Sequence, residues 1–84
     1  MKGLELTRHA ELRMVERGLR LSWIERTVRD PQRVEPQPGD ASEERRFCAI
    51  DEMDGRVLRV VCVETETTIR VITATLDRGA RARS

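Results

Sequence analysis

The sequence predicts an α+β domain in which two N-terminal helices pack on a three- to four-stranded antiparallel sheet. Apolar residues recur at helical spacing before Pro31, whereas alternating, β-branched segments dominate after it. Short connections such as Asp54-Gly55 favour antiparallel pairing of these strands. Eighty-four residues make one small domain, for which we expect an ordered core over about 4–77 and a frayed tail over 78–84.

The first helix is predicted over about 8–17. Thr7 is the expected N-cap, and Gly18 supplies the left-handed residue that commonly ends a helix. Leu12 and Val15 lie on a different side of this helix from its main apolar strip. We therefore expect the helix to lie between two layers.

The segments that flank this helix are shorter. Residues 1–6 are read as a small strand or as a hydrophobic staple before the helix. Ser22 and Glu25 have the spacing of a capping box, which predicts the start of a second helix. Asp30-Pro31 ends that helix, because the residue before a proline is forced out of the helical region.

The second half of the chain is predicted to be sheet. The expected strands are an edge strand over 32–36, then 45–51, 57–63 and 68–76, with a turn-rich loop over 37–42. On the last strand, strict alternation places one set of side chains on one side, namely Ile69, Val71, Thr73 and Thr75. It places the other set on the opposite side, namely Arg70, Ile72, Ala74 and Leu76.

Composition excludes several classes of protein. The chain has no Tyr, one Phe and one Trp, which argues against an aromatic platform for stacking bases. No segment approaches the length of a membrane span and no signal peptide is seen, so we expect a cytoplasmic protein without membrane partners. Cys48 and Cys62 are expected to be buried free thiols, although a bridge between strands stays open. A single His and two dispersed Cys predict no metal site and no cofactor.

Charge is unevenly distributed along the chain, although its net value is only +1. Residues 35–55 carry two basic and seven acidic side chains, whereas the segments before and after are net positive. Folding can therefore produce one basic and one acidic surface, or a mixed, solvated surface of ordinary character.

The first helix carries the main candidate site. His9, Arg13 and Arg17 follow one another at intervals of four, so they share one side of the helix. Guanidinium groups are costly to bury without partners, so these side chains either border a pocket or form ion pairs within the protein. A pocket that gathers cations suits an anionic ligand.

The sequence also resembles a known family, the bacterial domain of unknown function 4258. The resemblance is carried by His9-Ala10-x-x-Arg13-Met14-x-x-Arg17-Gly18, Arg45-Arg46, Leu58-Arg59-Val60-Val61 and Val71-Ile72-Thr73-Ala74. That family is similar in turn to the ribonuclease-like fold group of RelE-type and BrnT-type toxins, barnase and colicin nucleases. The resemblance implies a metal-independent endoribonuclease related to toxins.

Under that interpretation each candidate residue has a role. His9 acts as general acid or base, since an imidazole titrates near neutrality, and Arg13 assists it at the phosphate. Thr73, matched by resemblance to a polar residue of the last strand, donates a hydrogen bond to the phosphate or orients His9. The expected clamp on the phosphate oxygens consists of Arg17, Arg45, Arg46 and Arg59.

A second class of function stays open. The chain has one His, no carboxylate that clearly pairs with it, and no strongly basic balance. It can instead be a small, non-catalytic interaction domain, or a degenerate toxin fold, that binds a protein or dimerises through its sheet. The expected partners are therefore RNA, an antitoxin-like protein or a second copy of the chain.

Overall fold

The computed structural model describes the backbone of residues 2–81 and the side chains of residues 2–77. The elements in chain order are β1 (Gly3–Leu6), α1 (Arg8–Glu16), α2 (Leu21–Arg29), β2 (Arg33–Gln37), β3 (Asp40–Ile50), a 3₁₀ turn (Asp51–Met53), β4 (Arg56–Glu64) and β5 (Thr68–Arg81). The α+β class predicted from the sequence is confirmed.

The sheet has five strands in the order β1-β5-β4-β3-β2. Four of them form an antiparallel meander, but β1 pairs in parallel with β5, with Gly3 beside Thr68 and Leu6 beside Val71. The prediction of a purely antiparallel sheet of three or four strands is therefore wrong. A four-residue strand is too short to show clear alternation, and its partner lies at the other end of the chain.

Two strand boundaries extend beyond the predicted ones. The expected loop over 37–42 shrinks to a turn at Pro38-Gly39, where Gly39 adopts a φ of +85° that favours glycine. The last strand continues to Arg81, five residues beyond its predicted end at Leu76 and into the tail expected over 78–84. Residues 82–84 of that tail lie outside the described residues.

Helix α1 is capped as the sequence predicts. The Thr7 hydroxyl accepts a hydrogen bond from the Ala10 N–H at 3.1 Å, and Gly18 is left-handed with a φ of +64°. The expectation that α1 lies between two layers is wrong, because Leu12 is 53% and Val15 76% exposed. One side of α1 packs on the sheet and the opposite side faces solvent.

Helix α2 starts and ends by different means from those of α1. It begins at Leu21 with Arg20 at the N-cap position and no side-chain cap, so the predicted Ser22–Glu25 capping box is wrong. It ends at Arg29, before Asp30-Pro31, as predicted. Its buried side chains are Trp23, Ile24, Thr27 and Val28.

Both helices cover the same face of the sheet. The core cluster joins helix residues with strand residues, namely Ala10, Leu19, Trp23, Ile24 and Val28 with Ile50, Leu58, Val60, Cys62, Ile69, Val71 and Ala74. We call the sheet face that carries these strand residues the helix-covered face and the opposite one the open sheet face.

The two cysteines are buried free thiols. Cys48 pairs with Leu58 and Cys62 with Glu44, so the thiols stand four register positions apart, about 13 Å along the strands and too far for a bridge. Burial raises the pKa of the Cys62 thiol to about 11. These side chains act as small apolar core residues.

A bulge in β5 changes which of its side chains face the core. Cys62 pairs with Val71 but Val61 pairs with Thr73, so Ile72 is an extra residue on β5. Val71 and Ala74 both join the core cluster as a result, and the predicted strict alternation through Thr73 is wrong. The bulge places Thr73 on the open sheet face.

Candidate functional site

The structure places the seven candidate residues in three separate locations. The first location is α1, which carries His9, Arg13 and Arg17. The second is the open sheet face, which carries Arg45, Arg59 and Thr73. Arg46 is in the third location, on the helix-covered face under the end of α2.

Arg46 is held inside the protein. Its guanidinium donates hydrogen bonds to the Val28 carbonyl at 2.6 Å and to carboxylate oxygens of Glu44 and Glu64 at 2.7 Å each. Glu64 also accepts from Lys2 at 2.6 Å. We call these four charged side chains, Arg46 with Glu44, Glu64 and Lys2, the Arg46 cluster.

The charges of the Arg46 cluster neutralise one another. Arg46 is only 7% exposed. Burial disfavours its charged form, but hydrogen bonds to Glu44 and Glu64 outweigh that effect and leave its pKa raised. The hydrogen bond from Lys2, and then that from Arg46, lowers the pKa of Glu64. Arg46 therefore ties α2 to the sheet and is not available to a phosphate.

A depression of about 570 Å³ lies beside the Arg46 cluster. Its apolar lining comes from Val28, Pro31, Val34 and Ile69. Its two carboxylates already bind Arg46 and Lys2, and its third cation, Arg29, pairs with Glu25 at 2.9 Å. Each charged side chain of the lining therefore already has an ion-pair partner. Although it is the larger of the two depressions described here, it is a poor candidate for an anion site.

The arginines of the open sheet face are also engaged with neighbours. Arg45 donates to the Gln37 side chain at 2.8 Å, and Arg59 lies 3.8 Å from the Asp77 carboxylate. Thr73 stands opposite Val61 on this face. Because α1 packs on the other side of the sheet, Thr73 cannot orient His9 as the sequence interpretation expected.

Arg33 is a further cation of the open sheet face, which the sequence did not single out. Its guanidinium stacks 4.1 Å from the centre of the Phe47 ring and pairs with Glu35 at 3.2 Å. Stacking of this kind covers the ring and holds the guanidinium in place. Arg33 therefore completes the packing of this face.

Helix α1 borders a second depression, of about 350 Å³, which we call the α1 groove. It is lined by Arg13, Glu16 and Arg17 of the helix and by Arg56 and Leu76 of the sheet. Three guanidinium groups and one carboxylate thus share a small open space. Within the described side chains, Arg13 pairs with Glu16 at 3.0 Å, whereas Arg17 and Arg56 have no ion-pair partner.

His9 lies on the same flank of α1 as the α1 groove. It precedes Arg13 by four residues, about one helical turn or 6 Å along the axis. Its side chain is exposed and makes no hydrogen bond with another described residue. The imidazole is thus accessible beside the arginines, without a carboxylate to orient it.

The described part of the chain offers no alternative centre for a metal ion. No group of three or more His, Cys, Asp or Glu side chains converges within it. The side chains that can neutralise an anionic ligand in the α1 groove are therefore its three arginines.

Comparison with known proteins identifies the family. A family model described as a domain of unknown function, DUF4258, matches residues 6–75. The chain belongs to the DUF4258 family. Searches of curated proteins and of solved structures each gave no match. Neither helix in the described part of this DUF4258 domain is long and apolar enough to cross a membrane.

The fold accounts for part of the motif His9-Ala10-x-x-Arg13-Met14-x-x-Arg17-Gly18 in this DUF4258 domain. Ala10 is fully buried against the sheet, and Gly18 has the left-handed conformation that ends the helix region. His9 and Arg17, by contrast, have no structural partner among the described side chains. Of these two residues, Arg17 lines the α1 groove and His9 lies on the same flank of the helix, one turn before Arg13.

The sequence did not identify Arg56 as a member of the site. Arg56 is the first residue of β4 and pairs with Ile50, a helix-covered position. Alternation with Leu58 places it on that face, at the end of the strand, where a guanidinium can reach the edge of the core. Its closeness to Arg17 depends on how α1 crosses the sheet, which no local pattern reveals.

Proposed function

We propose that this protein binds the phosphate backbone of RNA at the α1 groove and cleaves it there without a metal ion. The observation that supports the proposal is the presence of Arg13, Arg17 and Arg56 around one depression that holds a single carboxylate. Guanidinium groups make bidentate contacts with phosphate oxygens, and two of these three have no ion-pair partner among the described side chains.

The side chains that line the α1 groove favour recognition of the phosphate backbone of RNA over recognition of a base. The α1 groove has no aromatic side chain in its lining, so it offers charge and no stacking surface. Binding should therefore depend on salt and little on base identity.

Cleavage in this proposal uses His9. Its imidazole removes the proton from a ribose 2′-hydroxyl, the 2′-oxygen forms a bond to the adjacent phosphorus, and the bond from phosphorus to the 5′-oxygen breaks. Water protonates the leaving 5′-oxygen, and a 2′,3′-cyclic phosphate remains. The arginines of the α1 groove neutralise the charge that develops on the phosphate oxygens. This step is the one implied by the resemblance to the ribonuclease toxin fold group.

The test is incubation of the purified protein with total RNA, with and without ribosomes, followed by the same assay on variants. We expect His9→Ala and Arg13→Ala each to abolish cleavage while thermal unfolding shows that the domain stays folded. Arg8→Ala is the matched control, because Arg8 is an exposed cation of α1 on the side away from the α1 groove. Unchanged cleavage by folded His9→Ala protein would remove His9 from the mechanism.

Binding is tested separately from cleavage. Arg17→Ala and Arg56→Ala should each weaken binding of a single-stranded RNA oligonucleotide, and each should flatten the dependence of log Kd on log salt by about 0.7. If neither substitution changes the Kd, the RNA does not bind at the α1 groove.

A second function, protein binding without catalysis, is favoured by one observation on α1. Leu12 and Val15 are exposed apolar side chains three residues apart on its outer side. Self-association through this side predicts a dimer whose mass in sedimentation falls with dilution and in the variant Val15→Glu. A monomer at all concentrations would contradict it.

A further inference from the structure

Glu16 is the one acidic side chain among those that line the α1 groove. Its carboxylate accepts a hydrogen bond from the Arg13 guanidinium at 3.0 Å. A phosphate that accepts from the same N–H of Arg13 must displace this carboxylate, and a phosphate that accepts from another N–H of the guanidinium is repelled by it. The two anions therefore compete for one cation.

The position of Glu16 is unfavourable for the helix itself. Glu16 is the last residue of α1, where the partial negative charge of the helix end repels a carboxylate. The order Arg13 then Glu16 is also the less stabilising orientation for an ion pair on a helix. Glu11, in the first turn, has the favourable position instead. Helix stability therefore does not account for a glutamate at position 16.

A phosphate can also displace Glu16 from its ion pair with Arg13 at little cost. The side chains of Arg13 and Glu16 are 40% and 59% exposed, so water screens their attraction and the pair opens readily. A single phosphate gains little by replacing the carboxylate, whereas a strand that also contacts Arg17 and Arg56 gains more.

We propose that Glu16 is a built-in competitor that occupies Arg13 and restricts the α1 groove to polyanionic strands. The inference rests on the proposed function and adds to it a residue that sets affinity and selectivity. Glu16 contributes no chemistry to the reaction. It determines how much negative charge a ligand must bring before Arg13 is released.

The experiment measures Kd for a fluorescent single-stranded RNA oligonucleotide with wild type, Glu16→Gln and Glu11→Gln. Glu16→Gln should tighten binding about two- to fivefold, within the range expected for one exposed ion pair. Its thermal unfolding temperature should be unchanged or slightly raised, because a charge is removed from the unfavourable helix end. Glu11→Gln removes the same charge from the same helix, outside the lining of the α1 groove, and should leave Kd unchanged.

A double-mutant cycle separates competition for Arg13 from a general effect of charge. In the background Arg13→Ala, the gain from Glu16→Gln should largely disappear. An equal gain in both backgrounds, or equal effects of Glu16→Gln and Glu11→Gln, would overturn the proposal while leaving RNA binding at the α1 groove intact. Loss of all sensitivity to Arg17→Ala and Arg56→Ala would instead overturn the proposed function, and the role of Glu16 with it.

Discussion

The Arg46 cluster and the α1 groove show two uses of arginine in one small domain. Arg46 is buried and makes hydrogen bonds to two carboxylates and a helix carbonyl, so its charge is neutralised within the protein. Arg17 and Arg56 border open space and have no ion-pair partner among the described side chains. The difference lies in the surrounding acceptors, because the chemical group is the same. Arg46 also has an unpaired N–H, at Nε, but that atom is buried. An arginine is a candidate for ligand binding only when its unsatisfied donors are exposed.

The largest effect in this comparison is expected at Arg46. Arg46→Met should lower the free energy of unfolding by about 3 kcal/mol, because it takes the buried donor from Glu44 and the Val28 carbonyl and leaves Glu64 with Lys2 alone. Urea denaturation measures this change. Arg45→Met is the matched control from the adjacent residue on the opposite face, and a loss equal to that of Arg46→Met would show that the Arg46 cluster has no special role.

A smaller effect is expected at Thr7, which anchors the helix of the α1 groove to the sheet. Its hydroxyl accepts from the Ala10 N–H and donates to the Ile72 carbonyl at 3.0 Å. Thr7→Val keeps the shape and removes both hydrogen bonds, so it should cost about 1 to 2 kcal/mol of unfolding free energy. Thr7→Ser retains the hydroxyl and should keep most of the stability. If valine is tolerated as well as serine, the cap does not position α1.

The Arg46 cluster should also make stability depend on pH. The hydrogen bond from Lys2, then that from Arg46, lowers the pKa of Glu64 in the folded protein. This contribution is complete above the unfolded value of about 4.3 and is lost as pH falls through the lower folded value. Wild type should therefore lose more stability between about pH 5 and pH 3 than Glu64→Gln does. Glu66→Gln, an exposed neighbour, should follow wild type, and parallel curves for all three proteins would disprove the linkage.

The smallest effect on stability is expected in the α1 groove. Arg17→Ala should change the unfolding free energy by no more than about 0.5 kcal/mol, because Arg17 is exposed and has no ion pair within the described part of the protein. Thermal unfolding of this variant beside Arg46→Met tests the comparison directly. A large loss for Arg17→Ala would mean that the α1 groove is structural too.

Much of the fold could be predicted because local signals decide it. The Thr7 cap, the stop at Asp30-Pro31 and the alternation of β3 each depend on neighbouring residues, and the structure confirms them. The parallel pairing of β1 could not be predicted, since it joins chain segments more than 60 residues apart. The capping box failed because Ser22 falls inside the first turn of α2, where its side chain has no cap to form.

The candidate site was predictable only where it lies on one helix. Spacing by four places His9, Arg13 and Arg17 on one side of α1 without any knowledge of the rest of the fold. The predicted convergence with Arg46 did not occur, because strand alternation and acidic neighbours draw Arg46 inward. The membership of Arg56 depends on tertiary packing, which a single sequence does not encode in any short pattern.

The extra residue at Ile72 divides the final strand into two stretches that should tolerate substitution by opposite rules. Before it, odd-numbered positions such as 69 and 71 must stay apolar, whereas after it the even-numbered position 74 carries that requirement. In saturation mutagenesis of this strand, the positions that reject polar substitutions should therefore change from odd-numbered to even-numbered at position 72. Deleting that one residue would remove the bulge and leave the same side chains facing inward, so that a single unbroken alternation would run along the whole strand.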